Sequence, residues 1–316
     1  MASNTLELEY VTLDVFTQTR YAGNPLAVVH VPKTASLSQE QKQAIAREFN
    51  FSETTFVHED GAAQWTVDIF TPWTELPFAG HPTIGTACHV LSKIAQDDGS
   101  TGTKINGTFN LKAGPVDLSY DPTSKTAKAA IPHDVHVHKK RWGQGDVLEV
   151  QPRLKSAVNK NNVAMKEQFS IVSIVKGMTF ILIELESREA LNLVETSGRS
   201  ISVEGLDEGW NDTFVGTYFF VRTGKTAEGV TLLQTRMIEG TLEDPATGSA
   251  ASDLACYLSL VEGKPGQALR YAIIQGVEMG RKSEINIEVV LAESEGIASV
   301  HLEGGAIQVM QGRLTI

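Results

Sequence analysis

At 316 residues the chain is long enough for two domains, and 41% hydrophobic with 21% charged residues is the balance of an ordinary globular protein. A net charge of −11 argues against nucleic acid or an anionic membrane surface as a partner, since both recruit Lys and Arg. The two cysteines, Cys88 and Cys256, sit in Ala-rich stretches, the setting of small buried hydrophobes rather than of a disulfide or a metal pair.

The first ten residues carry Glu7 and Glu9 and no basic-then-apolar pattern, so no secretory signal is expected. Strands are expected at Tyr10 to Phe16, Leu26 to His30, Thr54 to His58 and Trp65 to Phe70, most of them rich in β-branched or aromatic residues. Between them Ser38 to Phe49 reads as a helix, capped by Ser38 with Glu40 or Gln41 in its first turn. A second helix follows Gly80-His81-Pro82, from about Thr83 to Ala95, and stops at Asp97-Asp98-Gly99. Strands resume at Thr108 to Lys112, Val116 to Tyr120 and Ala127 to Pro132. The stretch His138 to Met165 is the least patterned, and the crossover between halves is expected inside it.

Further strands are expected at Ser170 to Val175 and Phe180 to Leu185, around a Lys176-Gly177 turn that makes this longest apolar run too broken to span a bilayer. With no membrane segment and no signal, cytoplasmic residence is expected. Ser187 to Asn192 starts a helix, Tyr218 to Arg222 and Thr231 to Met237 are strands, and a helix follows Asp244-Pro245 to about Val261. The chain closes on strands at Ile285 to Leu291, Ala298 to Glu303 and Ala306 to Met310.

The chain also echoes itself. Pro82-Thr83-Ile84-Gly85-Thr86-Ala87 returns 163 residues later as Pro245-Ala246-Thr247-Gly248-Ser249-Ala250, and at the same offset Glu53-Thr54-Thr55-Phe56-Val57 falls on Gly216-Thr217-Tyr218-Phe219-Phe220. A period of that length is a whole half-protein. The expected halves are 1–145, with 305–316 as a strand able to complete it, and 146–304.

In each half a Pro- and Gly-bearing turn leads into a helix, where backbone N–H groups lack intrahelical partners and attract an anion. These turns, Gly80 with Gly85 and Thr247, Gly248 with Ser249, are candidate seats for a carboxylate, and Asp244 stands where an acid would cap the second helix. Taken singly, either turn could merely start a helix. Glu53 breaks the repeat, because its partner position holds Gly216 while its neighbours are matched. An acid near an anion seat can move a proton on a bound carbon acid if burial raises its pKa. It could equally be a solvated turn residue. His81 is the natural second proton carrier, or a residue bridging the turn backbone. His133, His136 and His138 invite a metal reading, but no carboxylate or Cys at useful spacing completes the set, so no metal is expected.

Leu13-Asp14-Val15-Phe16-Thr17, Gly23-Asn24-Pro25-Leu26-Ala27-Val28-Val29, Phe51-Ser52-Glu53-Thr54-Thr55-Phe56-Val57, Glu75 to Gly85, Glu243 to Ala250, and Gln275-Gly276 with Met279-Gly280-Arg281 together resemble the PhzF-like family of phenazine biosynthesis. That resemblance implies an α+β fold like diaminopimelate epimerase: two pseudo-symmetric domains, each a curled, mostly antiparallel sheet around a central helix, with the active site in the cleft between them. It implies a cofactor-free isomerase that moves protons on a small carboxylate, typically as a homodimer. By matching motif, Glu53 resembles the family's acid/base, His81 and Asp244 its supporting polar residues, and Gly80 and Ser249 its contacts to the substrate carboxylate. The epimerase relatives place a cysteine at each helix start, whereas Gly80 and Asp244 stand there in this chain, which disfavours two-thiol racemisation. The approach Arg236 to Leu242 is also shorter than the family's usual loop.

The expected function is therefore cofactor-independent proton transfer on a small carboxylate of the aromatic or dihydroaromatic amino-acid kind. The rivals are a thiol-free amino-acid epimerase and a non-catalytic ligand-binding protein on the same scaffold.

Overall fold

In the computed structural model, which describes residues 6–61, 63–97 and 102–316, the chain is a sheet-rich α/β protein with few helices. Residues 1–5, and the helix stop expected at Asp98-Gly99, lie outside the described residues. The chain divides into two compact units, Met1–Ile131 with Leu302–Ile316, and Pro132–His301.

The first unit holds strands β1 (Glu7–Val15), β2 (Asn24–Val31), β3 (Thr54–Gly61), β4 (Gln64–Phe70), β5 (Glu75–Leu76), β6 (Ile105–Leu111), β7 (Gly114–Asp121) and β8 (Thr126–Ala130), with helices α1 (Gln39–Phe49) and α2 (Gly80–Asp97). β1 pairs antiparallel with β2, β2 parallel with β3, β3 antiparallel with β4, and β4 parallel with β6. The antiparallel run β6–β7–β8 then reaches the C-terminal strand Ile297–Thr315, which pairs back onto β1 from Val15↔Ala306 to Glu7↔Thr315. Eight strands thus close on themselves, leaving no open edge among them.

α2 runs along the inside of this ring, touching β1, β2, β3, β6, β7 and β8. It is buried on every side from Gly80 to Leu91, as expected of an apolar helix with no solvent stripe. Its small residues make that possible. A Cβ on Gly85 would meet Val15 Cγ2 at 2.6 Å and Leu26 Cδ2 at 2.7 Å, so this glycine admits β1 and β2. α1 packs on the outer face, where Ala46 joins Leu8, Val29, Val31, Phe56 and Phe70. Its capping box is closed by Ser38 and Gln41, and Asn50 ends it with φ +52°.

The second unit holds β9 (His136–Gly143), α3 (Gln144–Val150), α4 (Pro152–Asn159), β10 (Gln168–Val175), β11 (Met178–Glu184), α5 (Arg188–Leu191), β12 (Phe214–Lys225), β13 (Thr231–Glu239), β14 (Leu242–Asp244), α6 (Gly248–Glu262), β15 (Ala268–Gln275) and β16 (Ser283–Leu291), and takes in the first residues of β17 (Ile297–Thr315). β9 pairs antiparallel with β10, β10 antiparallel with β11, β11 parallel with β12, β12 antiparallel with β13, β13 parallel with β15, and β15 antiparallel with β16. α6 packs against β10, β11, β15 and β16. α3, α4 and α5 cover the other face through a core that includes Val147, Leu154, Phe169, Ile181, Ala190 and Phe219.

Three expectations need correcting. The stretch 138–165, expected to be the least patterned, holds most of a strand and two helices, and the compact units divide at Ile131 and Pro132. β15 had no counterpart in the sequence reading. The last two expected strands are one, because Gly304 and Gly305 make no turn; their missing side chains leave room for Phe16 and Gln18.

Candidate active site

In the first unit, Glu53 immediately precedes β3 and His81 is the second residue of α2. The two elements are tied one turn further on by the buried Thr55 Oγ1 and Thr86 Oγ1, 3.0 Å apart. The result places Glu53 Oε2 3.4 Å from His81 Nδ1, with side-chain exposures of 16% and 5%. Burial pushes the Glu53 carboxyl up from 4.5 to about 7, against an opposing hydrogen bond from Ser52. Glu53 Oε2 is buried and makes no hydrogen bond among the described residues. Ser52 Oγ in turn donates to Asn24 Oδ1 at 3.4 Å, so the start of β2 braces the residue before the acid. A carboxyl poised near neutrality beside an imidazole can both take and return a proton.

Gly80 opens α2, and Pro82 falls in its first turn, where a missing N–H costs nothing. Cys88, two turns further along, is buried against Gly304 O, and burial raises its thiol to about 12. Cys256 is likewise buried and raised. Neither thiol is poised to ionise.

The second unit builds its turn differently from the sequence expectation. Asp244 does not cap α6. It ends β14, Thr247 is the N-cap residue without a side-chain cap bond, and Thr247 Oγ1 donates to Asp244 Oδ2 at 2.6 Å. The helix begins at Gly248, with Ser249 in its first turn. Gln275, at the end of β15, holds this turn from below: its Nε2 donates to Asp244 O at 2.8 Å and to Thr247 Oγ1 at 3.0 Å. Its Oε1 accepts from Tyr218 Oη at 2.9 Å, and Thr235 Oγ1 donates to the same phenol at 2.9 Å. Gly276 adopts φ +74° with no room for a Cβ, which would stand 2.7 Å from Pro245 O.

Ahead of the turn, Arg236 forks onto Glu243 at 2.8 and 2.7 Å and also donates to Leu191 O and Val194 O. The short approach noted in the sequence is a hairpin in which Glu239 pairs with Leu242 across Gly240-Thr241, Gly240 having φ +56°. The position matching Glu53, Gly216, is crowded instead by the Phe180 and Phe214 rings, about 3.1 and 3.2 Å from where its Cβ would lie.

Sequence reasoning missed Asn24, Thr86, Tyr218, Thr235, Gln275 and Arg236 as supports. Asn24 and Gln275 lay inside quoted motifs, but their roles depend on contacts across 28 and 28 to 57 residues that spacing cannot display. It also missed a carboxylate: Asp207 Oδ2 lies 2.7 Å from His136 Nε2, in the group His136, His138 and Asp207. His133 is elsewhere, with Nε2 3.5 Å from Ile297 O.

A buried carboxyl pushed up to about 7 beside an imidazole, in a sheet-rich fold, is a candidate active site, and comparison with known proteins supplies the class of the chain. Residues 13–312 match the family described as phenazine biosynthesis-like protein (PhzC-PhzF). An uncharacterised isomerase of Mesorhizobium japonicum is 32% identical over 97% of this chain and 98% of its own. The trans-2,3-dihydro-3-hydroxyanthranilate isomerase of Pseudomonas aeruginosa is 30% identical, covering 96% and 98%. Among solved structures, a PhzF-family phenazine biosynthesis protein of Bacillus anthracis superposes with a TM-score of 0.74 at 20% identity over 98% and 100% of the two chains. A hydroxyproline epimerase of Agrobacterium vitis gives 0.60 at 11% identity over 99% and 93%, a likeness of fold alone. The chain belongs to the phenazine biosynthesis-like family and is an isomerase. Among the described residues no helix is long and apolar enough to cross a membrane.

Proposed function

We propose that this isomerase moves a proton between carbon atoms of a small carboxylate, without a cofactor, and that Glu53 is the group that carries it. As carboxylate it takes a proton from carbon, becoming the neutral acid, whose O–H exchanges with solvent; it then gives a proton to a second carbon of the delocalised anion, so no net charge is gained or lost. His81, 3.4 Å away, holds the carboxyl and steadies whichever form is present. Gly80 and the turn Thr247, Gly248 and Ser249 are proposed contacts for the substrate carboxylate, with Asp244 binding a hydroxyl or ammonium group. The observation that carries the reading is the buried Glu53 carboxyl 3.4 Å from the His81 ring, where burial pushes its pKa up to about 7, so that acid and base forms coexist at neutral pH.

The relatives named for trans-2,3-dihydro-3-hydroxyanthranilate support a dihydroaromatic amino acid as the substrate class. We further infer that the two units descend from one duplicated half. Each runs antiparallel, parallel, antiparallel, then parallel around a helix, in β1 to β6 with α2 and in β10 to β15 with α6.

The test is incubation with candidate carboxylic acids in heavy water, followed by NMR of the products. Deuterium at a new carbon with a displaced double bond supports the proposal. Exchange at a stereocentre with the double bond unmoved indicates an epimerase instead, and no exchange with any dihydroaromatic amino acid sinks the assigned substrate class.

A further inference from the structure

We propose that His136, His138 and Asp207 form a site for one divalent transition-metal ion of the zinc type, a site that includes none of the residues assigned to proton transfer. One nitrogen from each ring and one Asp207 oxygen lie within 4.8 Å of one another. Ligand atoms around a tetrahedral ion at about 2 Å stand somewhat over 3 Å apart, so the His136 Nε2 to Asp207 Oδ2 pair, 2.7 Å apart, would open by roughly half an ångström and the wider spacings, up to 4.8 Å, would close by as much as about 1.5 Å through side-chain rotation. Two imidazoles and a carboxylate are a donor set suited to zinc, cobalt, nickel or copper, not to calcium or magnesium.

A second observation points to a ligand. His138 is fully buried, yet its Nδ1 makes no hydrogen bond among the described residues. Its other nitrogen, Nε2, is fixed 2.9 Å from Ser173 Oγ, which continues to Thr179 Oγ1 at 2.6 Å and on to Thr213 Oγ1 at 2.8 Å. An imidazole held through one nitrogen while the other waits is the arrangement that orients a metal-binding histidine. His136 is fixed by its ring lying flat on Trp210, with centroids 4.7 Å apart and planes 14° from parallel. The ion would take the place of the hydrogen that bridges His136 Nε2 and Asp207 Oδ2, that ring proton moving to Nδ1.

The neighbouring cations are turned to other acceptors: Arg141 donates to His138 O, Lys140 Nζ to Glu204 O, and Lys176 Nζ stands over the Trp210 ring. Asp207 belongs to the irregular segment between α5 and β12, so the ion would clip that segment to β9.

Untagged protein, stripped with chelator, is titrated with zinc chloride by calorimetry and with cobalt(II) by visible absorption. The proposal predicts one ion per chain at micromolar affinity or tighter and ligand-field bands typical of low-coordinate cobalt. Asp207→Asn and His136→Gln, both at partly exposed positions, should each weaken zinc at least tenfold and remove those bands. In the wild type, the His138 Nδ1 resonance should move on zinc addition, a readout that needs no variant. Zinc affinity unchanged by both substitutions, binding only at millimolar zinc, or an unmoved His138 Nδ1 would each overturn the assignment.

Discussion

Glu53 Oε2 and His81 Nδ1 face each other at 3.4 Å, one at the start of β3 and the other in the first turn of α2. Neither residue reaches that position through its own segment alone: the hydroxyl pair Thr55 and Thr86 joins strand to helix, and the Gly85 notch lets the helix lie against β1 and β2.

Burial that lifts the Glu53 carboxyl to about 7 has a sign in stability as well as in catalysis. A folded pKa above the unfolded one contributes stability that is full below about 4.5 and is lost as pH rises through about 7. Glu53→Gln removes that loss, so it should unfold at higher denaturant than the wild type at pH 8, by on the order of 3 kcal/mol at most, with the difference shrinking toward pH 4.5. Carbon-13 NMR of the Glu53 carboxyl should titrate near neutrality. A midpoint below 5 would remove the physical basis of the assignment.

Asp253, in the middle of α6, is fully buried and neither carboxylate oxygen has a hydrogen bond among the described residues. Burial alone holds its pKa well above the usual carboxylate range. Its stabilising neutral form is complete below about 4 and is lost progressively at higher pH, at a rate of about 1.4 kcal/mol per unit until the folded pKa is reached. Asp253→Asn should therefore gain on the wild type as pH rises from 4 to 8, read from urea unfolding curves. Parallel stability curves for the two proteins would contradict this.

Arg236 and Glu243 are 8% and 13% exposed and joined by a two-bond fork. Arg236→Met leaves a buried carboxylate without its counter-charge, which should cost about 3–5 kcal/mol. Adding Glu243→Gln should recover much of that loss, since the uncompensated charge is then gone. The same denaturation series measures both, and a cost for Arg236→Met below about 1 kcal/mol would show that water already reaches the pair.

Much of the fold was legible because its cues are local. Ser38 and Gln41 close a capping box three residues apart, and β-branched runs such as Thr54 to Val57 announce strands whoever their partners are. β9 was illegible because His-Val-His-Lys-Lys-Arg-Trp-Gly has little intrinsic strand character, and pairing with β10 decides its conformation. Gly304 and Gly305 misled for a related reason: a glycine needed for a neighbour's side chain reads, in sequence, like one needed for a turn. Glu53 stood out by breaking the repeat, whereas Gln275 takes its meaning from a residue 28 positions away, and Asp207, apart from the residues assigned to proton transfer, from one 71 positions away. Asp244 was located correctly beside the second helix start but given a cap's role, because the count to Thr247 depends on where helical bonding begins.

The most direct measurement compares wild type with Glu53→Gln for binding and turnover of a carboxylate substrate, His81 and the fold being left in place. The account predicts an affinity within a few-fold of wild type and a fall in kcat of at least about a thousandfold, with loss of deuterium transfer from heavy water. Turnover and deuterium transfer persisting at wild-type rates in Glu53→Gln would contradict it.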